Sequence, residues 1–138
     1  MGAQVSIRKV NFEDVKYALS HDGYILINTL PSIQQECLIE GTIPADEETS
    51  TLNKYLRQNV GVKIIVYGLN SVDDRVSAKC QQLQSLGFFN VYAYMGGMFE
   101  WLLLQDIYGA DIFKTTSSQL DHLKYKGKKT FGLLAISN

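Results

Sequence analysis

The chain is poor in the residues that most often announce a chemistry. Its 138 residues include two cysteines, two histidines, two prolines and one tryptophan. Cys37 and Cys80 cannot build a disulfide framework, and no apolar signal segment follows Met1, so a reducing cytoplasmic setting is expected. His21 and His122 show no ligand spacing with the cysteines, so no metal is expected. There is no Walker sequence and no dinucleotide fingerprint, so no cofactor is expected; Gly96-Gly97 reads as a tight turn. A net charge of -1 gives no overall field for nucleic acid or membrane, and no nucleic-acid partner is expected. The longest apolar runs are too short to span a bilayer. Repeats, low-complexity tracts and linkers are also missing, which leaves one domain.

What is present is an ordinary apolar content, 46%, arranged in alternating patterns. Residues 11–20, with Asn11 as cap, Asp14 three residues on, and Phe12, Val15 and Leu19 on one face, predict a helix. Residues 24–30 and 62–68 predict buried strands, and residues 89–94 a third. Helices are expected over 46–59, over 73–87 with an apolar stripe of Val76, Cys80 and Leu83 and a stop at Gly87, over 98–109, and over 115–126 with a Thr or Ser cap. Strands alternating with helices at crossover length imply an α/β fold: a central, mostly parallel sheet with helices on both faces.

In such a fold, ligands bind beyond the carboxyl ends of the strands. The polar stretch after the second of the predicted buried strands, Gly68, Leu69, Asn70, Ser71, Val72, Asp73, Asp74 and Arg75, lies at such an end and opens a helix. Backbone N–H groups at a helix start suit an anion. Here, however, Asp73 and Asp74 occupy the start and satisfy the amides and the dipole themselves. The stretch holds no cysteine, histidine or lysine, and Ser71, its one hydroxyl, has no base near it in sequence. Cys80 faces the core by its spacing, and Cys37 sits between Glu36 and Glu40, whose carboxylates disfavour a thiolate.

The order "YILINTL", "EGTIPA", "IIVYG", the loop, and "AKCQQLQSLGFFNVYAYMGGMFEW" resembles a rhodanese-like domain over roughly residues 10–109. The spacing of Gly87, Val91, Gly96, Gly97 and Trp101 carries most of the likeness; at Gly41-Thr42 the family has Gly-His. The resemblance implies sulfurtransferase chemistry, in which a loop cysteine accepts sulfur as a persulfide and passes it on; related cell-cycle phosphatases use the same cysteine on phosphate. Gly68 stands at the matching position, and Asn28 stands where the family carries a strand aspartate. No catalytic residue is therefore expected. The expectation is a single rhodanese-like domain acting as a protein-interaction or regulatory module through the altered loop, with Asp73, Asp74 and Arg75 as its exposed features. The competing expectation is a sulfurtransferase or phosphatase with another nucleophile.

Both ends add a membrane reading. "MGAQVS" matches the N-myristoylation pattern, with Gly2 as the acceptor. One acyl chain holds a membrane only marginally. Arg8 and Lys9 at one end, and Lys124, Lys126, Lys128 and Lys129 at the other, are the basic residues that would assist it. The expected organisation is an arm over 1–9, the domain over 10–110, and a C-terminal helix and tail over 111–138.

Overall fold

The computed structural model describes residues 6–131. Four strands and four helices follow one another as β1 (Arg8–Val10), α1 (Phe12–Leu19), β2 (Tyr24–Asn28), α2 (Glu48–Gln58), β3 (Lys63–Tyr67), α3 (Arg75–Leu86), β4 (Val91–Tyr94) and α4 (Gly97–Tyr108). The sheet runs β1-β4-β3-β2, and every pairing is parallel. Each strand alternates between two faces, as a pleated backbone requires. Leu26, Ile65, Tyr67 and Tyr94 meet Val15 and Ala18 of α1 and Met98, Trp101 and Leu102 of α4. Ile25, Ile27, Ile64, Val66, Val91 and Ala93 meet Leu52 of α2 and Val76, Cys80 and Leu83 of α3. The chain is thus an α/β domain with a parallel sheet covered on both faces.

Up to residue 109 the expected elements stand where the residue pattern put them, with ends displaced by a residue or two. Asn11 caps α1 in a reciprocal box with Asp14. Gly87 closes α3 in the left-handed region at φ 117°, a conformation that glycine adopts without strain. On α1, Ala18 rather than Leu19 joins Val15 in the core, and Leu19 is left partly exposed.

Three expectations need correction. Arg8 and Lys9 belong to the sheet rather than to an arm: Arg8, Lys9 and Val10 pair with Tyr92, Ala93 and Tyr94. The Arg8 guanidinium also lies 4.3 Å from the centre of the Tyr92 ring. Three residues with two exposed cations carry no alternating pattern, and only the partner strand makes them a strand. Second, residues 115–121 are not helical, and only His122–Tyr125 winds into a short 3-10 turn. The hydroxyls that suggested a cap bond backbone carbonyls instead: Thr115 Oγ1 donates to Ser117 O (2.7 Å) and Ser117 Oγ to Glu36 O (2.7 Å). Third, the domain does not stop at 110. Phe113 and Tyr125 are buried in the same core as Trp101, whose indole N–H donates to Lys114 O (3.1 Å).

Candidate functional site

β3 delivers the chain to Tyr67, fully buried at the carboxyl end of the sheet. The Thr42 hydroxyl donates to Ile39 O (2.6 Å), so the Tyr67 hydroxyl donates to Thr42 Oγ1 (2.7 Å) and accepts from the Ile39 amide (3.1 Å). Burial drives the Tyr67 pKa upward, so this phenol is a neutral fastening of the "EGTIPA" turn to the end of β3.

The next eight residues close on themselves. The Asp73 carboxylate folds back into the loop and accepts four hydrogen bonds: from Leu69 N (2.9 Å), Arg75 N (3.1 Å), Arg75 Nε (2.9 Å) and Arg75 Nη2 (3.0 Å). Its side chain is only 4% exposed. Burial alone would raise its pKa; the hydrogen bonds from the Arg75 guanidinium and the two amides outweigh burial and hold it below the usual carboxylate range. Asn70 closes the other half: its Oδ1 accepts from Val72 N (3.0 Å), and its carbonyl accepts from Asp73 N (3.2 Å).

Gly68 has no room for a side chain. A Cβ there would stand 2.4 Å from Asp73 Oδ2, 2.7 Å from Thr29 Oγ1 and 2.9 Å from Val76 Cγ2. The start of α4 seals the loop from its other side. Met98 N donates to Gly68 O (3.0 Å) and Phe99 N to Leu69 O (2.9 Å). Gly97, at φ 66°, permits that approach, since a Cβ would lie 2.6 Å from Gly68 O.

The expected surface features are therefore redistributed. Asp73 is buried rather than exposed, and neither acid caps α3 in the ordinary way: Asp74 precedes its first residue without a side-chain cap bond. Ser71, Val72, Asp74 and Arg75 are exposed, while Asn70 is buried. Asn28 is also buried, held by Leu30 N (3.0 Å) and Gln35 Nε2 (2.7 Å).

Among the described residues neither thiol hydrogen-bonds to the loop. Cys80 packs in the core between α3 and the sheet, and burial pushes its pKa up to about 11. Cys37 packs in the core on the opposite face, with its Sγ 3.4 Å from Ser117 O. Among the described residues no group of His, Cys, Asp and Glu could hold a metal ion.

Sequence reasoning missed the residues across from the loop. Asn70 Nδ2 donates to Tyr125 O (2.8 Å), tying the loop to the C-terminal segment. Lys126 is extended and carries the chain beside Val72, close enough that a Cβ on Gly127 would lie 3.0 Å from Val72 Cγ2. Between loop and segment opens a cleft of about 620 Å³, lined by Leu69, Val72, Asp74 and Arg75 on one side and Lys126 and Lys128 on the other. No sequence spacing signals a contact between residues 55 positions apart. The basic set expected to serve a membrane is also split. Arg8 bonds Phe89 O at the amino end of β4 (2.9 Å), whereas Lys126 and Lys128 flank the loop at the carboxyl end of β3. Gly2 lies outside the described residues. Among the described residues no helix is long and apolar enough to cross a membrane.

The family model for the rhodanese-like domain matches residues 16–104, more than half of the chain. The chain belongs to the rhodanese-like domain family. Among solved structures it is similar to the Alr3790 protein of Anabaena, with a TM-score of 0.58 at 19% identity, covering 83% of this chain and 97% of that one. The solution structure of the rhodanese-like domain of the same Anabaena protein gives 0.58 at 18% identity over 93% and 92%. The BH2092 protein of Bacillus halodurans gives 0.57 at 19% identity, covering 74% of each chain. At these identities the likeness is one of fold. No curated protein matches the chain.

Proposed function

We propose that this rhodanese-like domain is non-catalytic and works as a protein-interaction or regulatory module. One observation carries the reading: the Asp73 carboxylate stands where a side chain on residue 68 would have to project, and it takes the Leu69 and Arg75 donors that an incoming anion would use. A sulfur or phosphoryl donor then has neither a cradle nor a nucleophile at the strand end. Both cysteines are fully buried, out of reach of a dissolved donor, and burial pushes the Cys80 thiol up to about 11, against thiolate formation. The exposed Ser71 hydroxyl has no base among its hydrogen-bond partners in the described residues.

The decisive assay is turnover of thiosulfate with cyanide, run beside hydrolysis of an aryl phosphate. The expected rates equal the uncatalysed controls. Turnover that falls on Cys37→Ser or Ser71→Ala would replace this reading with that of an enzyme using another nucleophile.

The Gly2 acylation pattern adds a tether to the proposal. Its support is the sequence pattern alone, and the split of Arg8 from the C-terminal lysines gives the tether no single basic face. Intact mass after co-expression with a myristoyltransferase tests it: the proposal expects one acyl group on Gly2, and an unmodified chain removes the tether.

A further inference from the structure

We propose that the cleft between the 68–75 loop and residues 126–130 receives an acidic peptide segment of a partner protein. Lys126 and Lys128 are the charge contacts and Val72 the apolar one. The inference rests on the non-catalytic reading and supplies the chemistry of its partner.

Charge is the first argument. The Asp73 carboxylate is neutralised in place by Arg75, so the loop's buried acid projects little field into the cleft. Lys126 and Lys128 are exposed, and among the described residues neither forms an ion pair, whereas Lys124 is paired with Glu36 (3.5 Å). One exposed carboxylate, Asp74, stands against these two cations at the rim. A chain with a net charge of -1 thus presents a locally cationic hollow.

Geometry is the second argument. Lys126 is extended, Lys126 and Lys128 both line the cleft, and Gly127 between them lies against Val72. Val72 is 72% exposed, a large apolar side chain at the mouth of a hollow rather than under it. About 620 Å³ falls within the range of roughly 300–1,000 Å³ typical of ligand sites. The Leu69, Val72, Asp73 and Arg75 amides are already bonded within the loop, which shifts recognition to the lysine side chains. The cations line a concavity, which a peptide enters and a flat lipid surface does not.

The test uses the full chain and an array of peptides of about ten residues, each with a central leucine, in which glutamate rises from none to about half of the positions. Binding should rise with glutamate content and weaken several-fold between low and high salt. It should drop about tenfold or more in the Lys126→Glu, Lys128→Glu double variant, and drop also in Val72→Asp; thermal melts verify that each variant is folded. Vesicles containing phosphatidylserine form a further arm. Binding independent of glutamate content, equal binding by the double variant, or capture by vesicles but not by peptides would each overturn the inference. The same preparations are assayed with thiosulfate and cyanide. Turnover there would defeat the non-catalytic reading, whereas a flat peptide response without turnover would defeat only the acidic-peptide inference.

Discussion

The 68–75 loop and the 126–130 segment face each other across one cleft and are built in opposite ways. The loop is closed by its own polar groups: the Asp73 carboxylate, the Asn70 side chain and the Arg75 guanidinium all bond within it. The segment beyond residue 125 follows the Asn70 bond to Tyr125 O, starts with Lys126 N donating to Leu123 O (3.1 Å), and lies against Val72 at Gly127, while its lysines remain in solvent. The difference teaches where recognition can reside. A charge satisfied inside a loop rigidifies it but is lost as a handle; a charge on an exposed stem is cheap to hold and free to engage.

Substitutions can break that comparison at several depths. Asp73→Ala should have the largest effect, destabilising the fold by about 3 kcal/mol, because it leaves the Leu69 and Arg75 amides without their acceptor and the loop without its tie. Urea unfolding measures it. A loss below about 0.5 kcal/mol would mean that Asp73 does not hold the loop. The effect has a pH signature. Asp73 has its pKa depressed in the folded state, so its contribution is complete above the unfolded carboxyl value near ~4 and is lost as pH falls through the folded value. The stability gap between wild type and Asp73→Asn should therefore narrow in acid, not in base.

Gly68→Ala comes next, at about 2 kcal/mol, since the new methyl must displace Asp73, Thr29 or Val76. In the Asp73→Gly background the same change should cost measurably less, because the nearest clashing atom is gone; thermal melts of the four-member cycle check this coupling. Asn70→Ala should cost about 1 kcal/mol and loosen the segment, seen as faster amide exchange around residue 126. At the bottom of the scale, Lys126→Ser with Lys128→Ser should leave stability within about 0.5 kcal/mol, since neither side chain has a structural partner among the described residues. A larger loss would show that the segment's cations are structural after all.

The contrast also explains what was legible in the sequence. Val76, Cys80 and Leu83, or Ile64 and Val66, announce their burial through helical or strand spacing, because apolar faces repeat with the backbone's own period. The parallel sheet and the covering helices follow from that. The polar loop is legible only in part. That Gly68 offers no nucleophile can be read directly, but Asp73 and Asp74 look equivalent as letters; only Asp73 turns inward, where Leu69 N and Arg75 are waiting. Strand β1 and the facing of Lys126 and Lys128 towards the loop depend on partners distant in sequence, Tyr92 for the one and Val72 for the other. No local period encodes such pairs. The run of threonines and serines at 115–118 misleads for a related reason: hydroxyls that cap helices equally well bond a neighbouring carbonyl, and Ser117 O and Glu36 O were near enough to take them.

The central claim is that the strand-end hollow is already filled by the protein's own carboxylate. Its most direct measurement is intact mass spectrometry of the native chain after exposure to a persulfide donor, without reductant. The account expects the mass to stay unchanged while the chain is folded, with sulfur added to Cys37 or Cys80 only after denaturation. A gain of one sulfur atom by the folded protein, on a thiol mapped to the 68–75 loop end of the sheet, would contradict it.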